Sequence, residues 1–120
     1  MKRLLCVLAA PPYAGSRTVE MLEAAMVGAV FDCRVALLAR DEGVWALFNG
    51  QDGAALGART VSQVLGAMPA YEVDEVYVCA ASLQARGLTP EQLALPATVV
   101  DHLEQTALIA AQDAVLSAGS

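Results

Sequence analysis

The stretch from Val76 to Ser82, V-Y-V-C-A-A-S, places a thiol where strand-forming residues give way to small, helix-compatible ones. In open parallel α/β sheets, ligands and reactive groups gather beyond the carboxyl ends of the strands. Cys79 falls on that edge. It also stands at the start of a helix, whose free N–H groups and positive dipole end stabilise a thiolate. Persulfide chemistry needs such a sulfur, anionic enough to attack a donor and accessible to an acceptor thiol. A free cysteine is equally at home as a small buried hydrophobe, so chemistry and packing both stay open for Cys79. Cys6 lies mid-strand and Cys33 opens a strand, and both are expected to pack in the core. His102 is the only histidine. It follows a later strand, on the same edge as Cys79, so a thiol–imidazole pair is conceivable. A lone histidine near a helix start reads equally well as a solvated or capping residue.

Other chemistries find little to work with. There is no G-x-G-x-x-G after the first strand and no G-x-x-x-x-G-K-[ST], which removes support for the usual nucleotide folds. H-E-x-x-H and C-x-x-C are also missing, and no cofactor or metal site is expected. Three cysteines with no close pair give neither a disulfide framework nor zinc-ligand spacing, and a reducing, cytoplasmic compartment follows. The formal charge is −6 with no Lys/Arg cluster, so direct binding to a nucleic-acid backbone by this chain is not expected. The hydrophobic fraction is 57% against 17% charged residues. Such an excess fits apolar surface meeting another chain, or strands buried on both faces of a three-layer fold. Trp45 and Phe48 interrupt a loop beside Asp41 and Glu42. They are candidate anchors for a partner chain, or aromatics tucked over the sheet.

The elements that must carry these residues alternate between strand and helix. Arg3–Ala9 reads as a first buried strand, although M-K-R-L-L-C-V-L-A-A imitates a short signal peptide. No apolar run is long enough to span a bilayer. Val19, Leu22, Met26 and Val30 recur at helical spacing, which predicts an amphipathic helix over 16–30 with Ser16 at its N-cap. Cys33–Ala39 is a second strand, followed by a loop with one helical turn near Val44–Phe48. Val61, Val64, Leu65 and Met68 predict a second helix. Asp74–Val78, Ala97–Val100 and Ala114–Leu116 complete the strands, and Ala80–Ala85 and Asp101–Ala111 the helices. Gly87 closes the first of these two helices, while Thr89-Pro90 opens a further short turn. The class is α/β, a single three-layer domain over 1–116. Its parallel sheet of about five strands is covered by helices on both faces. Residues 117–120 are expected to form a flexible tail.

Several segments together resemble a known family. "PPYAGS", "FDCRVALLARDEGVWALFNGQ", "LGAMPAYEVDEVYVCAASLQARGL" and the closing "QDAVL" are similar to the DsrE/DsrF/TusC-like sulfur-relay proteins, nearest the TusC/DsrF branch. The resemblance implies a heterohexamer with homologous TusB/DsrH-like and TusD/DsrE-like subunits. Such complexes pass persulfide sulfur to a small acceptor protein of the TusE/DsrC type. TusBCD-type complexes serve 2-thiolation of the tRNA wobble uridine, and DsrEFH-type complexes serve dissimilatory sulfur oxidation. In the family the carrier cysteine is usually assigned to the TusD/DsrE-type subunit, at the strand end that Cys79 occupies here. The TusC/DsrF branch is regarded mainly as a docking partner, with a sulfurtransferase acting through Cys79 as the alternative.

Overall fold

Five short apolar runs, each long enough for a strand, become the five strands of one parallel sheet. The structure, a computed structural model, describes residues 2–9, 17–47, 66–67, 70, 73, 75–93 and 96–118. The strands are β1 (Lys2–Leu8), β2 (Cys33–Ala39), β3 (Glu75–Cys79), β4 (Thr98–Val100) and β5 (Ala114–Ala118). Their spatial order is β4-β3-β2-β1-β5, with every pairing parallel. The helices are α1 (Arg17–Val30), α2 (Ala80–Ala85) and α3 (His102–Ala110), with 3-10 segments at Asp41–Leu47 and Pro90–Gln92. The predicted helix over 61–68 falls largely outside the described residues, as do Ser16 and Phe48.

Alternation along the central strands explains why β1 and β2 are apolar throughout. Cys6 and Leu8 of β1, with Val35, Leu37 and Ala39 of β2, face one side and pack with Met21, Leu22 and Ala25 of α1. Leu5, Val7, Ala36 and Leu38 face the other, where Leu108 and Ile109 of α3 cover them. A strand buried on both faces has no polar side to show, as parallel sheets require. The stripe of α1 that meets the sheet is Met21, Leu22 and Ala25, with Met26 and Ala29 at its margin. Val30, expected to belong to it, is instead 64% exposed, because successive residues rotate by about 100° and Ala25 and Ala29 already fill the contact line.

The C-terminal end of α2 and the N-terminal end of α3 are closed by local chemistry. Gly87 adopts φ +66, which a side chain would oppose, and its N–H bonds to the Gln84 carbonyl while Leu88 N–H reaches that of Leu83. Asp101 caps α3 by accepting from Glu104 N–H at 2.8 Å, and the Glu104 carboxylate accepts from Asp101 N–H at 3.0 Å. Thr89 and Pro90 open the short 3-10 turn as expected, with Thr89 N–H donating to Gln92 Oε1 at 2.9 Å. β5 runs through Ser117 and Ala118, two residues into the segment expected to be a tail, because Val7 and Leu8 offer them pairing partners.

The direction of the crossovers decides where a site can form. From β1 to β4 the chain steps the same way across the sheet, so right-handed connections keep α1 and α2 on one face. The return from β4 to β5 crosses three strands in the opposite direction and carries α3 over the other face. The carboxyl ends of the neighbours β3 and β4 therefore send the chain to opposite faces. A crevice opens between them, as at topological switch points generally.

Candidate functional site

Cys79 is the last residue of β3 and His102 the first of α3, so both stand at this crevice. A cavity of about 240 Å³ lies there, lined by Arg40, Asp41, Cys79, Ser82, Arg86, His102 and Gln105, with Ala81 and Ala85. His102 and Cys79 share the cavity, but no hydrogen bond joins them among the described residues. Burial alone does not sort the three thiols: Cys6 is fully buried in the core, Cys79 is only 4% exposed at the cavity wall, less accessible than its strand-end position suggests, and Cys33 is half-buried at the core's edge.

The turn after β2 is built to hold one wall of the cavity. Arg40 N–H donates to the Leu8 carbonyl at 2.9 Å, and Gly43 N–H to the Arg40 carbonyl at 3.0 Å. Gly43 is pressed so closely on β1 that a Cβ there would collide with the carbonyl of Leu8. Asp41, at φ +52, turns its N–H toward α2 and donates to Ser82 Oγ at 2.9 Å. Arg86 completes the frame, with Nη1 on the Ser82 carbonyl at 3.1 Å and Nη2 on Glu42 Oε1 at 2.9 Å. The opposite wall is Gln105, a buried amide whose Nε2 reaches the Val100 carbonyl at 3.4 Å.

These surroundings act on the Cys79 sulfur. Burial opposes its ionisation, but the Ser82 hydroxyl and N–H, the Gln105 amide and the Ala81 N–H outweigh it and bring the thiol below its ordinary value. The side chain closes no capping bond to the helix backbone, so the N–H groups act on the sulfur as a partial positive field. Ser82 contributes most directly. Its oxygen already accepts from Asp41 N–H, which leaves its single proton to donate to the sulfur. Cys6 shows the opposite case, since burial alone pushes its thiol up to about 12. One thiol is tuned toward reaction and the other is kept inert.

The whole chain now decides its kinship. Residues 2–118 match the DsrE/DsrF-like family. The chain belongs to that family. Among DsrE/DsrF-like relatives, a protein named TusC homolog from Pseudomonas aeruginosa is 36% identical over 95% of this chain and 96% of its own. The intracellular sulfur oxidation protein DsrF of Allochromatium vinosum is 37% identical over 78% of this chain and 68% of its own. The TusC of Escherichia coli O9:H4 is 31% identical over 76% of each chain. The crystal structure of ychN protein from E. coli has the same fold, with a TM-score of 0.81 at 21% identity over 98% of this chain and 100% of that one.

Sequence reasoning had singled out Cys79 and His102, and the fold brings them to one cavity. It had missed Arg40, Ser82, Arg86 and Gln105. Ser82 carried a signal, standing three residues after the strand-end cysteine where a capping partner is expected. Arg40 carried none, because its place depends on β2 and β3 being neighbours. Trp45, a candidate partner anchor, is half-buried against the main core. Among the described residues no cluster of His, Cys, Asp or Glu could hold a metal, and no helix is long and apolar enough to cross a membrane.

Proposed function

We propose that this chain is a subunit of a cytoplasmic sulfur-relay complex, and that Cys79 carries sulfane sulfur within it. The observation that carries this reading is the thiolate-favouring setting of Cys79 at the switch-point cavity. A donor persulfide presents its outer sulfur and the Cys79 thiolate attacks it. The S–S bond of the donor breaks, its electron pair leaves on the donor thiolate, and Cys79 holds the new persulfide. A small acceptor protein of the TusE/DsrC type then takes the outer sulfur by the same exchange. A pure docking role, which the resemblance alone implies, asks nothing of Cys79 and leaves the arrangement around its sulfur without purpose.

The end-to-end likeness to a TusC homolog supports delivery toward 2-thiolation of the tRNA wobble uridine, with TusB/DsrH-like and TusD/DsrE-like subunits as partners. The DsrF relative supports the second reading, a DsrEFH-type complex in sulfur oxidation. Phe31 at 76% exposure and Leu103 at 81%, with Val27 and Val30, give the chain apolar surface for such partners. Trp45 and Phe48 are further anchors in this reading. The test is persulfide transfer to the acceptor by complexes carrying Cys79→Ser, after native mass shows equal assembly. Transfer should be lost, because a relay cannot pass through an alcohol. Undiminished transfer would return the chain to a docking role.

A further inference from the structure

Two buried donors beside Cys79 have no acceptor. Among the described residues, the Nε–H groups of Arg40 and Arg86 are sealed from solvent without a hydrogen-bond partner, and both side chains line the Cys79 cavity. Buried polar groups are almost always paired, so each exception asks for a reason. The two arginines are not equivalent. Arg86 already spends its Nη atoms on Glu42 and on the Ser82 carbonyl. Arg40 takes no part in the described ion pairs, which are Arg34–Glu75 and Arg86–Glu42. In a chain of net charge −6, this cavity gathers two of its seven Lys/Arg residues. The one carboxylate that lines it, Asp41, is exposed, and Glu42 is held by Arg86.

An arginine edge, Nε with Nη, matches the paired oxygens of an oxoanion once the side chain turns its sealed Nε–H into the cavity. The cavity of about 240 Å³ far exceeds the ~10–15 Å³ that one water needs. We infer that Arg40 and Arg86 form an oxoanion subsite beside Cys79, and that the site takes a small sulfane-sulfur oxoanion, thiosulfate being the simplest, as a sulfur donor. The inference rests on Cys79 being a sulfur-accepting thiol. The Cys79 thiolate attacks the outer sulfur of thiosulfate, and the S–S bond breaks with its electron pair going to the sulfonate sulfur. Sulfite leaves with two negative charges, and Cys79 keeps the persulfide anion, so three charges stand on each side. No oxidant or reductant is needed. The arginines hold the sulfonate oxygens where charge builds as sulfite departs.

The experiment uses the full chain with any partners that co-purify. Persulfide formation on Cys79 is followed by peptide mass spectrometry, with thiosulfate as one donor and an uncharged organic trisulfide as the other. Sulfite release is measured alongside. Thiosulfate should yield sulfite and Cys79 persulfide in equal amounts. In Arg40→Gln the ratio of thiosulfate rate to trisulfide rate should fall roughly 10- to 100-fold, the worth of a charge-assisted hydrogen bond. Arg40→Lys should recover only part of it. Sulfate should slow alkylation of Cys79 at constant ionic strength in the wild type and not in Arg40→Gln. An unchanged rate ratio overturns the subsite, and so does protection by acetate as strong as by sulfate. If Cys79 accepts sulfur from neither donor, the sulfur-carrier reading itself fails.

Discussion

Replacing Ser82 with alanine removes the most direct support of the Cys79 thiolate and should separate chemistry from packing. The hydroxyl serves two groups, accepting from Asp41 N–H at 2.9 Å and donating to the sulfur. A hydrogen bond to a charged group contributes about 1.5–3 kcal/mol. The cavity is open to water, so the lower end applies. At about 1.4 kcal/mol per tenfold, the ratio of thiolate to thiol at a given pH falls roughly tenfold. Iodoacetamide alkylation of Cys79 should slow by up to that factor at pH values below the thiol's midpoint. Its midpoint in pH should move up toward that of an ordinary thiol, and the rates should converge above it. The partly buried Asp41 N–H also loses its acceptor, which costs about 1 kcal/mol of stability and roughly 4 °C in Tm. Ser82→Thr keeps the hydroxyl and should keep the rate. Loss of stability in Ser82→Ala with alkylation as fast as wild type at every pH would refute the assignment of Ser82 to the thiolate.

Four further outcomes follow from features already described. The folded-state value of Cys6 stands above its unfolded value, so its contribution is intact below about pH 9 and is lost as pH rises from 9.0 toward about 12. Urea midpoints should fall less steeply over that window in Cys6→Val than in wild type. Gly43→Ala should destabilise by more than about 3 kcal/mol, or give no folded protein, since the new methyl meets backbone and cannot be relieved by a rotamer change. Asp101→Ala removes the cap of α3 and should cost about 1 kcal/mol in thermal or urea unfolding. Peptide mapping after brief iodoacetamide treatment should find Cys79 modified ahead of the more exposed Cys33, because Cys79 lines the cavity and its thiol is lowered, and Cys6 only on unfolding.

How much of this was legible in the sequence follows from which interactions are local. β2 and α2 were predicted with the bounds they have, since a bounded apolar run and a glycine at C′ are written in adjacent residues. The N-cap Thr89 and the turn at Pro90 were legible for the same reason, whereas Asp101, read as the first residue of its helix, is the cap that precedes it. The face of α1 was misjudged at Val30, because periodicity gives a stripe but not which margin of it meets the sheet. Strand order was not written locally at all. Cys79 and Arg40 meet only because β2 and β3 pair, with Leu38 opposite Tyr77 and Ala39 opposite Val78. The cation beside the thiol was thus invisible until the sheet was known, while the thiol itself was not.

The place of β1 in the sheet has a consequence for how the chain comes to be folded. β1 is the first strand in sequence, yet one of its edges is completed by β5, with Leu4 paired to Ala114. In a growing chain, that edge waits for residues more than a hundred positions later. Through that interval the run L-L-C-V-L offers unpaired backbone groups and apolar side chains to any other strand nearby. Loop closure over such a separation is slow, so the sheet should form from the β1–β2 pair outward, and β5 should dock late. Damage to β5 should therefore show first as aggregation during synthesis, before any loss at the sulfur site.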